Sequence, residues 1–393
     1  MVRLFVSIFV DCTREDFLKN YWQQQPLLLK SSITDLVDII DSGDLAGIAC
    51  EAESEARIIS GFGLNNKWSC EQGPFTEQQL LSMPNKNWTL LVQGVDQWVE
   101  EVHAILERFS FLPKWRLEDV MASFAPVGGG VGPHFDYYDV FLLQVSGTRE
   151  WQLGQVCDDA TRLQENSQVK LLEEFEPVQT LTAAPGDMLY VPAGVAHWGT
   201  ALTDECITLS VGFRAPSQQE LLFATLESLI EEFAETGSDN LRYRDSATSI
   251  EKDSVDTNPY KINTDVEDQL LAMTKQLTPE AIGRAMNKSF GSLVTEPRHL
   301  PPLDDDHATD PNELTLAAIN YYIDSNNGFE LVHPHHSRFA FSERALFVNG
   351  VAFNVRESFS KELCFGLLET PINADERNVL ITLLATADIE LAD

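Results

Sequence analysis

An α+β fold with a β-rich barrel or sandwich at its centre is what the 393-residue chain predicts, and three observations carry that expectation. Between Met121 and Phe213, short β-prone runs (VFLLQV, REWQL, MLYV and ITLSVGF) are separated by Gly and Pro signals. After Pro216 the texture turns helical, opening with Ser217 and Glu220 as a capping box before LLFATLESLIEEF. Beyond the Pro301-Pro302 break, RFAFSERALFVNGVAFNVR offers two β-like runs joined by Asn349-Gly350, a strong two-residue hairpin signal. These shifts divide the chain into residues 1–215, 216–300 and 301–393.

Taken in order, Met1 to Val10 is apolar with one Arg3, but it runs straight into Asp11, Arg14, Glu15 and Asp16 without a small-residue cleavage site, so export is not expected. Phe17 to Leu29, FLKNYWQQQPLLL, predicts a helix stopped before Pro26 and then an extended apolar piece. Trp98 to Arg108 has helical spacing, with Trp98, Val102, Ile105 and Leu106 on one side. Glu235 to Asn263 is polar and charged and predicts a long loop, after which helices resume at a capping box, Thr264 to Glu267, and at Thr278 with Pro279 in the first turn. Two helical stretches, Ser360 to Glu369 and Asp375 to Ala387, follow the C-terminal hairpin and with it suggest a small winged-helix-like unit.

Charge narrows the partners. Sixty-one acidic against 27 basic residues give a formal charge of -34, which repels phosphate backbones and anionic membrane surfaces. Residues 301–393 carry 5 Lys/Arg against 16 Asp/Glu, so the last unit is not expected to bind nucleic acid despite its shape. A basic protein partner suits this field. No run approaches the roughly 20 apolar residues of a membrane span. The six cysteines lie far apart without a Cys-x-x-Cys pair, which predicts reduced thiols and a cytoplasmic protein.

Two half-motifs define a candidate metal site. GGGVGPHFD, Gly128 to Asp136, contains a His-x-Asp pair, and on a strand His134 and Asp136 would face the same side. GDMLYVPAGVAHW, Gly186 to Trp198, starts a strand at Pro185-Gly186 and turns at Pro192-x-Gly194 before His197. Two imidazoles and one carboxylate on one face of an ion leave adjacent positions open, the arrangement of non-haem iron(II) oxygenases. A lone His-x-Asp is weak, and the two histidines can equally be unrelated core residues; the second half-motif is what raises the pair above that reading. Arg149 begins the next β-like run, where a guanidinium facing inward can bind the distal carboxylate of 2-oxoglutarate in a two-pronged geometry; otherwise it is a solvated strand-end arginine. Ser123 and Ser210 offer further hydroxyls, and Tyr137, Tyr138 and Asp139 adjoin the ligand pair as candidate substrate contacts, Asp139 equally readable as a structural acid. His333, His335 and His336 lack an acidic or cysteine partner at ligand spacing, His103 reads as a helix packing residue, and GGGVG lacks the lysine of a phosphate loop.

Together with LPKWRLEDVMASF, GTREWQLG and SFGSLVTEPRHLPP, these motifs resemble the JmjC-type ribosomal oxygenases of the cupin superfamily, and within them the bacterial branch that hydroxylates a ribosomal protein arginine. The resemblance covers nearly the whole chain. It implies a double-stranded β-helix (cupin/JmjC) catalytic domain, a helical dimerisation domain giving a homodimer, and a C-terminal winged-helix-like domain. It places iron(II) on His134, Asp136 and His197 and the basic 2-oxoglutarate anchor on Arg149, with O2 as the other cosubstrate. One departure is Ala125, where some relatives carry a serine that helps bind 2-oxoglutarate. The implied reaction couples oxidative decarboxylation of 2-oxoglutarate to hydroxylation of an arginine in a basic large-subunit ribosomal protein. Hydroxylation of a ribosomal histidine at an identical metal centre, or a non-catalytic metal-binding cupin scaffold, are the alternatives.

Overall fold

The structure, a computed structural model, describes residues 8–10, 12–61, 68–165, 169–235, 268, 271, 274–299, 329–369 and 371–391. Eleven strands, β1 (Leu27–Leu29), β2 (Ala56–Ser60), β3 (Ser69–Gln72), β4 (Trp88–Val92), β5 (Leu117–Ala125), β6 (Asp139–Ser146), β7 (Arg149–Val156), β8 (Gln179–Ala183), β9 (Met188–Val191), β10 (Val195–Ala201) and β11 (Cys206–Phe213), build two sheets. The larger runs β1-β9-β6-β11-β5-β4-β2-β3 and the smaller β10-β7-β8, all antiparallel.

Alternation along the strands decides what each face holds. Phe141, Leu143 and Val145 of β6 and Ile207, Leu209, Val211 and Phe213 of β11 enter the main core with Phe17, Leu45 and Ile105 from the N-terminal helices. Val140 and Leu142 of β6, with Leu189 and Val191 of β9, pack the other way, against Trp151, Leu153, Ala183 and Val195 of the small sheet. Each such fully buried side chain contributes roughly 1.5–3 kcal/mol by leaving water. The sandwich therefore has an outer core against the helices and an inner layer between the sheets, which the side chains of the second parity face.

The predicted helix before Pro26 runs Arg14–Asn20, and the piece after it is β1, an edge strand on β9. Trp98 to Arg108 becomes the helix Glu100–Ile105 followed by a tighter turn, Leu106–Phe109. Sequence texture missed β2, β3 and β4, short runs whose pairing is supplied by distant chain. The helix Gln218–Glu235 starts with the predicted capping box: the Ser217 N–H donates to Glu220 Oε2 at 2.7 Å, and the Glu220 N–H to Ser217 Oγ at 3.1 Å. It packs on the helix Pro279–Thr295, capped by Thr278, through Leu229, Ala281 and Ala285. The expected capping box at Thr264 to Glu267 lies outside the described residues, as does nearly all of the expected loop before it.

Beyond these helices, β12 (Phe329–Val332), β13 (Phe339–Phe341), β14 (Leu346–Val348), β15 (Val351–Phe353), β16 (Leu367–Leu368) and β17 (Glu390–Leu391) join two helices, Glu357–Cys364 and Ala374–Ala385, around Leu346, Phe359, Leu363 and Leu380. The Asn349-Gly350 turn forms as predicted, with φ of 45° and 84°, values glycine and asparagine tolerate best. The first helix of this unit starts at Glu357 and ends at Cys364, earlier than its pattern suggested, because Gly366 takes φ 72° and turns the chain into β16. Among the described residues no helix is long and apolar enough to cross a membrane.

Candidate metal centre

His134 does not sit in a regular strand. It lies in an extended segment leading into β6, and an isolated bridge ties it to His197 of β10: the His134 N–H donates to the His197 carbonyl at 3.1 Å and the His197 N–H to the His134 carbonyl at 2.8 Å. The Gly194 N–H donates to the Asp136 carbonyl at 2.8 Å and fixes the other end of the segment. The glycines before it serve close packing: a Cβ at Gly129 would lie 2.1 Å from the Trp88 carbonyl, and one at Gly130 would lie 2.3 Å from that of Gly199.

This frame brings one ligand atom from each of His134, Asp136 and His197 within 4.8 Å of one another. They are the one such cluster among the described residues. Donors each about 2.1 Å from a shared ion must lie within roughly 4 Å of one another, so the set fits one ion with modest adjustment. The tautomers suit it as well. His134 Nδ1–H donates to the Gly132 carbonyl at 2.9 Å and His197 Nδ1–H to that of Val195 at 3.0 Å, which leaves both Nε2 lone pairs for an ion. Burial, then the neighbouring His134, pushes His197 down to about 4, so its imidazole is neutral at physiological pH. Asp136 Oδ2 lies 3.7 Å from His197 Nε2 and remains partly open to solvent.

Arg149 faces inward from the first position of β7. Register places Arg149, Trp151 and Leu153 opposite Ala201, Gly199 and His197, so Arg149 and His197 stand on one face of the small sheet, four register positions apart. The side chain is 3% exposed, yet its Nε and Nη2 have no hydrogen-bond partner among the described residues. A buried guanidinium with unpaired donors is costly unless an anion completes it. Ser123 and Ser210 are buried on the inner side of the large sheet, with Ser123 Oγ donating to the Thr208 carbonyl at 3.3 Å. Ala125 packs with Cys206 and with Ala201, the register partner of Arg149.

The three candidate substrate contacts separate. Tyr138 packs with the inter-sheet cluster, and a Cβ at Gly212 would be 3.5 Å from its ring. Burial, then Asp136 and Asp119, raises its phenol well above the ordinary value, so it stays protonated. Tyr137 is 68% exposed, stacks edge-on against Phe135, and hydrogen-bonds Asp159. Asp139 is a correction: it points into the outer core, fully buried, where its carboxylate accepts from Tyr190 Oη at 2.7 Å, Gln23 Nε2 at 3.1 Å and Arg116 Nη2 at 3.1 Å. As the first residue of β6 it shares the parity of Phe141 and is turned away from the metal side. Asp119 of β5 shares the parity of Met121 and Ser123, which puts it on the inner side of the strand, a placement the alternation in LEDVMASF already signalled.

Outside the centre, His335 stacks on His103 with ring centroids 3.7 Å apart and pairs with Glu100 at 3.0 Å, while His333 Nε2 lies 2.9 Å from the Leu363 carbonyl. The His335 contacts join the C-terminal unit to the helix Glu100–Ile105, and His333 is held within the C-terminal unit; neither is part of an ion-binding cluster among the described residues.

Comparison with known proteins agrees with this geometry. Residues 104–221 match the JmjC domain. The chain is 34% identical over 290 residues to the ribosomal protein uL16 3-hydroxylase of Escherichia coli, covering 72% of each. It is 37% identical over 211 residues to a probable ribosomal oxygenase of Haemophilus influenzae, an alignment spanning 53% of this chain and 52% of that protein. The solved structure of YcfD, a ribosomal oxygenase from Escherichia coli, in complex with cobalt and 2-oxoglutarate superposes with a TM-score of 0.74 at 28% identity, covering 98% of this chain and 99% of that one. A second, with cobalt and succinic acid, gives 0.73. With a two-sheet JmjC/cupin sandwich, a two-histidine, one-carboxylate cluster between its sheets and this degree of likeness, the chain belongs to the JmjC-type ribosomal oxygenase family.

Proposed function

We propose that the protein is an iron(II)- and 2-oxoglutarate-dependent oxygenase that hydroxylates an arginine side chain of a basic large-subunit ribosomal protein, with O2 as the second cosubstrate. The observation that carries this reading is the pairing of the His134, Asp136 and His197 cluster with a buried, under-partnered Arg149 on the same sheet face. A metal-binding scaffold has no use for an internal carboxylate anchor.

His134 and His197 would hold iron(II) through Nε2 and Asp136 through a carboxylate oxygen, on one side of the ion. Bound there, iron(II) supplies the redox and O2 chemistry that no side chain can. Arg149 would grip the distal carboxylate of 2-oxoglutarate by two parallel N–H donors, with Ser123 and Ser210 as neighbouring hydroxyls. Trp151 and Leu153 wall the space between anchor and ligands and keep water from it. On the substrate side, Tyr138 offers a flat protonated phenol and Asp119 a carboxylate. A fixed negative charge matches a guanidinium, which is charged at every physiological pH, better than an imidazole, and this favours arginine over histidine.

The net charge of -34 fits a basic partner and the cytoplasm, where ribosomal proteins are met. The homodimer we assign to the helix Gln218–Glu235, whose Leu222, Phe223, Leu226 and Ile230 are 48–65% exposed along one stripe, an apolar face that a second copy would cover. The units 1–215, 216–300 and 301–393 are then catalytic, dimerising and winged-helix-like.

The direct test incubates purified protein with iron(II), 2-oxoglutarate and large-subunit ribosomal proteins and reads the products by mass spectrometry. Gain of one oxygen on an arginine with matching succinate is expected. Oxygen on histidine would replace the substrate assignment, and neither product would leave the scaffold.

A further inference from the structure

His299 lies four residues beyond the helix Pro279–Thr295, yet its imidazole is inserted among the ends of β2, β4 and β5 of the large sheet. Nδ1 is 3.1 Å from Glu55 Oε1 and Nε2 is 3.2 Å from Asp119 Oδ2. The backbone is shaped to admit it: Gly94 takes φ 59°, and a Cβ there would lie 3.0 Å from the ring. The same Asp119 oxygen accepts from Gln93 Nε2 at 3.1 Å and the Gly94 N–H at 3.2 Å, and Gln93 is in turn held by Arg57 Nη2 at 3.2 Å. Next to it, Arg298 pairs with Glu118 at 3.4 Å, and Arg338 donates to the carbonyls of Leu117 and Glu118. Three basic residues from beyond the sandwich thus converge on the first three residues of β5, the strand whose inner face carries Asp119, Met121 and Ser123.

We propose that His299 is a positioning residue that holds Asp119 on the cavity side of β5 to receive a cationic substrate side chain, so that the chain leaving the second helix completes the substrate end of the site. This rests on the reading above that the substrate side chain is an arginine. Left alone, Asp119 would sit beside Glu55, Glu118 and Asp96, and their mutual repulsion would favour its turning out to water. An imidazolium bridging two of the four carboxylates removes that drive and fixes the Oδ2 edge, leaving the carboxylate as a whole short of neutralised. Burial alone would lower the His299 pKa, but the hydrogen bonds and charges of Asp119 and Glu55 outweigh it and raise it to about 9; around them lie Asp96, Arg57 bound to Gln93, and the Glu118–Arg298 pair.

The test uses the full-length protein and two readouts. In steady-state hydroxylation of an arginine-bearing ribosomal peptide, His299→Gln should raise KM by about tenfold, the loss of one charge-assisted hydrogen bond, with kcat unchanged. Affinities for iron(II) and 2-oxoglutarate, measured by calorimetry, should also be unchanged. The wild-type KM should rise likewise above pH 9, and that of the variant should not. An unchanged KM, or a parallel loss of iron affinity, overturns the inference. Independently of turnover, NMR titration of 13C-labelled histidine should place His299 near 9 and drop it in Asp119→Asn. A value near 6.5 in wild type overturns the inference even if no peptide is oxidised, whereas failure to oxidise any arginine peptide counts against the proposed reaction and leaves the titration to decide the role of His299.

Discussion

His134 and His197, 63 positions apart, exchange both of their backbone hydrogen bonds, so the two imidazoles are held by main chain rather than by their own packing. The ring centroids stand 4.3 Å apart, and each Nδ1–H is committed to a carbonyl two residues upstream. The ligand geometry should therefore survive changes at either side chain. His134→Ala and His197→Ala should each abolish stoichiometric iron(II) binding by calorimetry, while the melting temperature of the metal-free protein shifts by only a few degrees. A collapse of the fold in either variant would show that the rings, not the bridge, hold the segment.

Arg149 should separate cosubstrate from metal. Arg149→Ala removes a charge-assisted pair worth about 1.5–3 kcal/mol, so the 2-oxoglutarate needed for half-maximal turnover should rise roughly tenfold to a hundredfold. Iron(II) affinity should stay within about twofold, because Arg149 lies four positions along β7 from Leu153, the register partner of His197. Equal loss of both contradicts the assigned role.

Asp139 and Asp119 should behave oppositely. Asp139→Ala strands Arg116 and Tyr190 in the outer core, and removing one partner of a buried pair costs about 3–5 kcal/mol, read as a lower urea midpoint. Asp119→Asn keeps the shape of the side chain and should raise KM for peptide with a far smaller effect on stability. If Asp139→Ala instead leaves stability intact and weakens substrate binding, the outward placement of Asp139 is wrong.

Stability should also depend on pH through His299. Its pKa is raised from 6.5 to about 9 in the fold, so the stability it contributes is fully present below about 6.5 and is lost as pH rises through about 9. Denaturant midpoints measured from pH 6.5 to 10 should fall for the wild type more than for His299→Gln; parallel curves would show that the histidine carries no such charge.

Leu226→Glu with Ile230→Lys should convert a dimer to a monomer in sedimentation, leaving iron binding unchanged. A wild type that sediments as a monomer would refute the homodimer.

By itself the sequence determined what depends on neighbours a few residues away or on donor chemistry. The Ser217–Glu220 capping box, the Asn349-Gly350 hairpin and the helix start at Thr278 are interactions within four positions, and they form as expected. The iron-site reading likewise needed only the donor types and spacing of His134, Asp136 and His197, since few other roles unite two glycine-proline half-motifs ending in such groups. Tertiary structure decided which way side chains face and what they meet. Asp139 turned outward because its place at the head of β6 is set by pairing with β11, and a one-residue difference in parity sends a side chain to the other face. Strands β2 to β4 extend the sheet only because β5 offers them an edge, and His299 reaches Glu55 across 244 positions. Such contacts are stabilised by burial and charge pairing between distant segments, which leave no periodic mark in either one.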